Sequence, residues 1–234
     1  MKTTLVALLF VAMRLVALET PTYVHREIAG WKVHVNVKLV EADSTALEKA
    51  MELLRSQLDE MVRVVPAKAV AELRKVPLYF NPEYPKTRPR AEYHPGEDWL
   101  RENGRDTAMV RCVEFSNVRI FEAETRRMPN FALHELAHAY HHLFLRMSYG
   151  NLEIKAAYEK AKASGKYERV ERKDSEGRSR MDRAYAMTNP QEYFAECTEA
   201  YFTRNDFYPF NREELKQQDP EMLTLLEKLW GVQP

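Results

Sequence analysis

Alternation of apolar and polar positions sets in at Tyr23. Residues 23–28 and 31–40 read as two strands joined at Ala29-Gly30, the second alternating through Val33, Val35, Val37 and Leu39. The period then changes from two to about 3.6. Asp43 or Ser44 offers an N-cap, and Leu47, Met51, Leu54, Leu58 and Met61 recur on one helical face as far as about Val64. A shorter helix over 67–75 and a strand over 76–80 follow. Residues 81–103, rich in Pro, Tyr and charge, read as a long loop. Residues 108–115 and 117–122 are strand candidates. Residues 152–163 are helical. Residues 166–183 are highly charged around Ser175-Glu176-Gly177 and form either a solvated hairpin or a mobile loop. Phe207-Tyr208-Pro209-Phe210 reads as a turn packed on the core, and 219–230 closes as a helix.

Two further helical runs carry candidate chemistry. In the first, Phe131, Leu133, Leu136, Ala137, Tyr140, Leu143, Phe144 and Leu145 make a mostly apolar helix, with Asn130 as N-cap after Pro129. Within it lies His134-Glu135-Leu136-Ala137-His138. Residues i and i+4 share a helix face, so His134 and His138 can present their imidazoles to one metal ion. Glu135 is offset by one position and can hold and deprotonate a water there. The bland alternative is a core helix with two satisfied histidines. His141 and His142 are poor ligand candidates. His141 stands seven residues past His134, about 10 Å along a straight helix. Both read as packing, surface or cleft-lining residues.

A zinc site needs a third protein ligand and an open position. The second run, 188–202, supplies candidates. Thr188 or Asn189 can cap it, Pro190 suits the first turn, and Tyr193, Phe194, Cys197, Ala200 and Tyr201 form an apolar stripe. Glu192 and Glu196 are i, i+4 and face the same way. One can bind the metal while the other accepts the far N–H of a ligand histidine. Periodicity does not choose between them, and a solvated acidic face is the competing reading. Tyr185 is a packing aromatic or a phenol that donates to a developing oxyanion.

With Tyr185 seven residues before Glu192-Tyr193-Phe194-Ala195-Glu196, and the two-histidine helix upstream, the chain resembles the gluzincin zinc metallopeptidases of the anthrax lethal factor type. The likeness covers about 129–145 and 185–203. It implies that His134, His138 and Glu192 bind one Zn2+, that Glu135 is the general base, that Tyr185 stabilises the oxyanion, and that Glu196 orients a ligand histidine. The longer metzincin pattern fails, because His141 stands where it needs glycine and Phe144 where it needs a third histidine. Substrate identity does not transfer with the likeness.

Composition narrows the field. The 234 residues hold 45% hydrophobic side chains, and formal net charge is zero, which gives no electrostatic case for nucleic acid or anionic membranes. Lys2 precedes an apolar run over 3–13, which Arg14 interrupts before Leu15-Val16-Ala17-Leu18. This reads as a signal peptide over 1–18, hence a secreted or periplasmic protein. An uncleaved membrane anchor is the rival, though the run is short for a span. Cys112 and Cys197 allow one disulfide or two buried thiols.

Element order suits an α+β, zincin-like fold: a single catalytic domain over 19–234. A mixed sheet and long helix form an upper lobe over about 22–146, and a helical lower lobe spans about 147–234. The two-histidine helix lies between. A strand within 108–115 can form the sheet edge above the cleft, where a peptide docks by strand addition. The expected function is a secreted zinc metalloendopeptidase with a peptide or protein substrate, no nucleic acid and no stable membrane insertion. A non-catalytic zinc-containing binding or cell-surface protein is the alternative, and a zinc hydrolase of non-peptide bonds a third reading.

Overall fold

The computed structural model of the protein describes residues 21–233. The expected leader at 1–18 lies outside the described residues. Strands β1 (Tyr23–Ile28) and β2 (Trp31–Asn36) form the first hairpin. Ala29 and Gly30 turn it with φ of 51° and 89°, a left-handed pair that matches strand twist. Gly30 meets a second demand. A Cβ there would stand 2.6 Å from Arg74 Nε, whose guanidinium donates to the Ala29 carbonyl.

The second strand ends earlier than the expected residue 40. Asn36 accepts from the Lys38 N–H and opens a short helix, α1 (Val37–Ala42). A side-chain cap competes here with the sheet ladder and wins. Helix α2 (Ser44–Val64) buries Leu47, Leu54, Leu58 and Met61. Asp43 precedes it without a side-chain cap bond, and its carboxylate instead receives Arg119. Helix α3 (Ala67–Leu73) and strand β3 (Leu78–Phe80) follow.

The stretch 81–103 is not one loop. It holds strand β4 (Ala91–Tyr93) and helix α4 (Glu97–Glu102). The expected strand over 108–115 shrinks to β5 (Val113–Phe115), after a 3-10 turn at Thr107–Met109. The expected strand over 117–122 is helical: a 3-10 turn at Val118–Ile120 leads into α5 (Phe121–Arg127). Glu122 and Glu124 in its first turn and Arg126 and Arg127 in its last complement the helix dipole.

The sheet runs β1-β2-β3-β5-β4. Its three inner strands are parallel and its outer pairs antiparallel, so the sheet is mixed. Among the described residues the edge strands are β1 and β4, and β4 is the one packed against α6. The strand within 108–115, expected at the edge, is interior, because β4 adds outside it.

Helix α6 (Phe131–Leu143) crosses from the sheet to the second half of the chain. There α7 (Leu152–Ser164), the hairpin β6 (Val170–Lys173) and β7 (Ser179–Asp182), α8 (Pro190–Phe202), α9 (Arg212–Gln218) and α10 (Pro220–Trp230) follow in order. The charged stretch 166–183 thus takes the hairpin form, and α9 is an addition. A continuous apolar core runs from Trp31 and Leu54 through Leu133 to Phe194 and Trp230. The fold class is α+β. Cys112 and Cys197 are buried, unpaired thiols. Among the described residues no helix is long and apolar enough to cross a membrane.

Candidate metal centre

Helix α6 is fixed at its start by side chains that replace missing helix bonds. Asn130 accepts from the Leu133 N–H at 3.1 Å and donates to the Gln57 carbonyl of α2. Gln57 accepts from the Ala132 N–H at 3.0 Å. With α2, β4 and α8 packed around it, α6 buries Leu133, Leu136, Ala137 and Ala139 completely. His134 and His138 lie one turn apart, with ring centroids 4.8 Å from each other. Helix α8 begins at Pro190, and Asn189 caps it by accepting from the Glu192 N–H at 2.9 Å. That places Glu192 in the first turn, facing the two imidazoles.

Three donor atoms converge. His134 Nε2 and His138 Nε2 are 3.2 Å apart, and Glu192 Oε2 lies 3.1 Å from the first and 3.2 Å from the second. Bonds of about 2.0–2.1 Å to a tetrahedral zinc would set its ligand atoms about 3.3–3.4 Å apart. The near-equilateral triangle fits that chemistry, with two imidazole nitrogens and one carboxylate, a donor set suited to zinc. Electrostatics agree. Burial works against charge on His134, but Glu199 and Glu192 outweigh it and hold the imidazole well above its ordinary pKa. Burial would raise the Glu192 carboxyl, yet His134 and His138 hold it well below the usual range. The triangle is a place that attracts positive charge.

The donor triangle faces a cleft of about 660 Å³. Arg90, Ala91 and Tyr93 of the β4 edge form one wall. Glu135 lines the same cleft, and its Oε2 accepts the Tyr93 main-chain N–H at 2.9 Å. Tyr185 stands in a 3-10 turn just before α8, 47% exposed, and also lines the cleft. Burial first, and then the Glu192 charge, push its phenol pKa up. A neutral phenol that keeps its proton is suited to donate a hydrogen bond.

Behind the triangle lies a layer of buried acids. Glu196 Oε1 is 3.7 Å from His134 Nδ1, and Glu196 Oε2 accepts from Asn205 Nδ2 at 3.0 Å. Glu199 Oε2 is closer to His134 Nδ1, at 3.5 Å. Asp206 receives Arg127 and Arg172 at 2.8 and 3.2 Å. Sequence reasoning placed Glu196 here and missed Glu199. The signal was available, because positions 192, 196 and 199 continue one helical face.

Two other missed residues are Tyr93 and Tyr149. The Tyr93 hydroxyl is hydrogen-bonded to His142 Nδ1 at 2.8 Å. His142 stacks on Tyr149, whose hydroxyl donates to the His138 carbonyl at 3.3 Å. Tyr149 reaches the cleft from a loop in which Met147 and Ser148 both hold left-handed φ, 63° and 53°. Such backbone is costly for non-glycine residues and persists only where surroundings impose it. His141 is buried between Tyr149 and Phe194, and burial pushes its pKa down to about 3, so it packs as a neutral ring.

A second group of possible ligands, Glu92, His94 and Glu114, is closed by other means. Arg105 donates to Glu114 at 2.7 Å, and Asn81, Tyr84 and His94 complete that carboxylate. A guanidinium already supplies the positive charge there.

The family model described as "Anthrax toxin lethal factor, N- and C-terminal domain" matches residues 89–229, well over half the chain. The matched span includes β4, α6, Tyr185 and α8. No curated protein and no solved structure matches.

Proposed function

This chain belongs to the anthrax toxin lethal factor family, and from that premise we propose that it is a secreted zinc metalloendopeptidase on a zincin-like fold. One observation carries the reading: His134 Nε2, His138 Nε2 and Glu192 Oε2 form a triangle of 3.1–3.2 Å sides facing an open cleft. These three residues would hold the ion. When bound, zinc supplies Lewis acidity that brings the pKa of water to about 7 and polarises a carbonyl.

The chain's own residues do the rest. Glu135, anchored through one oxygen by the Tyr93 N–H, takes the proton from the attacking water and passes it to the leaving amine. Tyr185 donates its phenolic hydrogen to the oxygen that gains charge at the scissile carbonyl. The β4 edge offers main-chain groups to an extended peptide along the cleft wall. Glu196 and Glu199 lie behind His134, 3.7 and 3.5 Å from its Nδ1. The catalytic unit is a single domain over 19–234, with sheet and long helix above the cleft and helices below. Secretion follows from the apolar leader, and peptide or protein is the substrate class.

A peptide-library digest with purified zinc-loaded chain tests the proposal. Wild type should cleave, whereas Glu135→Gln should keep zinc and fold yet lose hydrolysis by orders of magnitude. A zinc-loaded wild type that cleaves nothing in a broad library would favour the non-catalytic binding protein instead.

A further inference from the structure

Glu199 lies on α8 seven residues past Glu192, and it is fully buried. Its neighbours Ala195, Ala200 and Tyr201 are buried apolar residues. Neither carboxylate oxygen of Glu199 has a hydrogen-bond partner within ordinary reach, and neither has His134 Nδ1. Glu199 Oε2 and His134 Nδ1 face each other at 3.5 Å. A buried carboxylate without a partner is costly, and so is a buried ring N–H without an acceptor. Each group answers the other's need. Glu196, the acid that helical spacing suggests, is placed less well. It stands at 3.7 Å, and one of its oxygens already takes the Asn205 amide. The nearby guanidinium of Arg127 is committed to Glu124 and Asp206, at 2.6 and 2.8 Å.

We propose that Glu199, rather than Glu196, is the residue that positions His134 for metal binding. By accepting the Nδ1–H, Glu199 fixes the tautomer and the ring plane, and it leaves the Nε2 lone pair directed at the triangle. Glu196 is held in the layer behind by Asn205. Glu199 acts through His134 and touches neither metal nor substrate. The inference rests on the metal reading of the His134, His138 and Glu192 triangle.

The test is a set of zinc affinities measured by chelator competition on the full chain, paired with urea unfolding of the metal-free forms. Glu199→Leu should weaken zinc binding about 10–100-fold, as losses at such supporting residues do. It should leave the metal-free fold about as stable, because a buried carboxylate is removed and the His134 proton can sit on Nε2, 3.1 Å from Glu192 Oε2. Glu199→Gln should recover most of the affinity, since its amide oxygen can accept the same N–H. Glu196→Gln should change affinity by less than Glu199→Leu. Unchanged affinity in Glu199→Leu, a loss matched by an equal fall in metal-free stability, or a larger loss in Glu196→Gln would each overturn the assignment while wild type still binds zinc. A wild-type chain that binds no zinc would sink the metal reading itself, and this inference with it.

Discussion

The main-chain N–H of Tyr93 donates to Glu135 Oε2 at 2.9 Å. One bond thus joins the edge strand β4 to the helix that carries both histidines. The Tyr93 side chain makes a second tie seven residues further along that helix, at His142. The edge strand is only three residues long, and these two bonds set its register against α6.

Tyr93→Phe removes the second tie and keeps the first. The loss of this part-buried hydrogen bond should cost about 1 kcal/mol, read as a lowered urea midpoint. Peptide hydrolysis should persist, because the backbone donor to Glu135 remains. An unchanged midpoint would mean that the Tyr93–His142 contact adds nothing to the edge.

Tyr185→Phe removes a hydroxyl on an exposed ring. If that hydroxyl stabilises the oxyanion, kcat should fall roughly ten- to a thousand-fold. Zinc content and Tm should barely move. An unaltered kcat would return Tyr185 to a packing role.

Glu114 anchors the loop that leads into β4 and out of it. Burial alone would raise its carboxyl, but hydrogen bonds from His94 and Tyr84 and the Arg105 guanidinium hold it below the usual range. A carboxyl lowered in the fold adds stability that is present above its unfolded value, about 4.3, and is lost as pH falls through the folded value. Glu114→Gln leaves Arg105 buried without its closest counter-charge and should cost on the order of 3–5 kcal/mol near pH 7. The gap between wild type and variant, measured by urea unfolding, should narrow once pH drops below about 4. A gap that stays constant down to pH 3 would show that the Glu114 charge is not what stabilises the loop.

The sequence was most readable where local signals agreed. Asn130 and Asn189 cap α6 and α8 as their positions suggest, and the apolar faces of both helices are buried. Periodicity left Glu192 and Glu196 as equal candidates, and only the resemblance singled out Glu192, which the fold sets facing both imidazoles. Local signals failed where local and distant forces diverge. Strand β4 is three residues in a stretch dense with Pro and charge, and only its pairing with β5 makes it a strand. Val37 and Leu39 satisfy strand alternation, yet the Asn36 cap turns them into a helix. Residues 118–127 carry too few apolar positions to declare a helical face, since Phe121 alone is buried in α5. Glu199 continues the helical face of Glu192 and Glu196, but the i, i+4 pair drew the reading to Glu196, and only the fold shows His134 Nδ1 nearer to Glu199.

Glu192 should matter more to metal retention than any other carboxylate in the cleft. Glu192→Ala removes one of three donors and should abolish stable zinc binding. Near-normal affinity in that variant would move the third ligand elsewhere.

Zinc content of the purified chain, by elemental analysis of wild type and of the His134→Ala, His138→Ala double variant, tests the central claim most directly. The triangle of His134, His138 and Glu192 predicts close to one zinc per wild-type chain and none in the folded double variant. A wild type that takes up no zinc, or a double variant that still holds one, would contradict it.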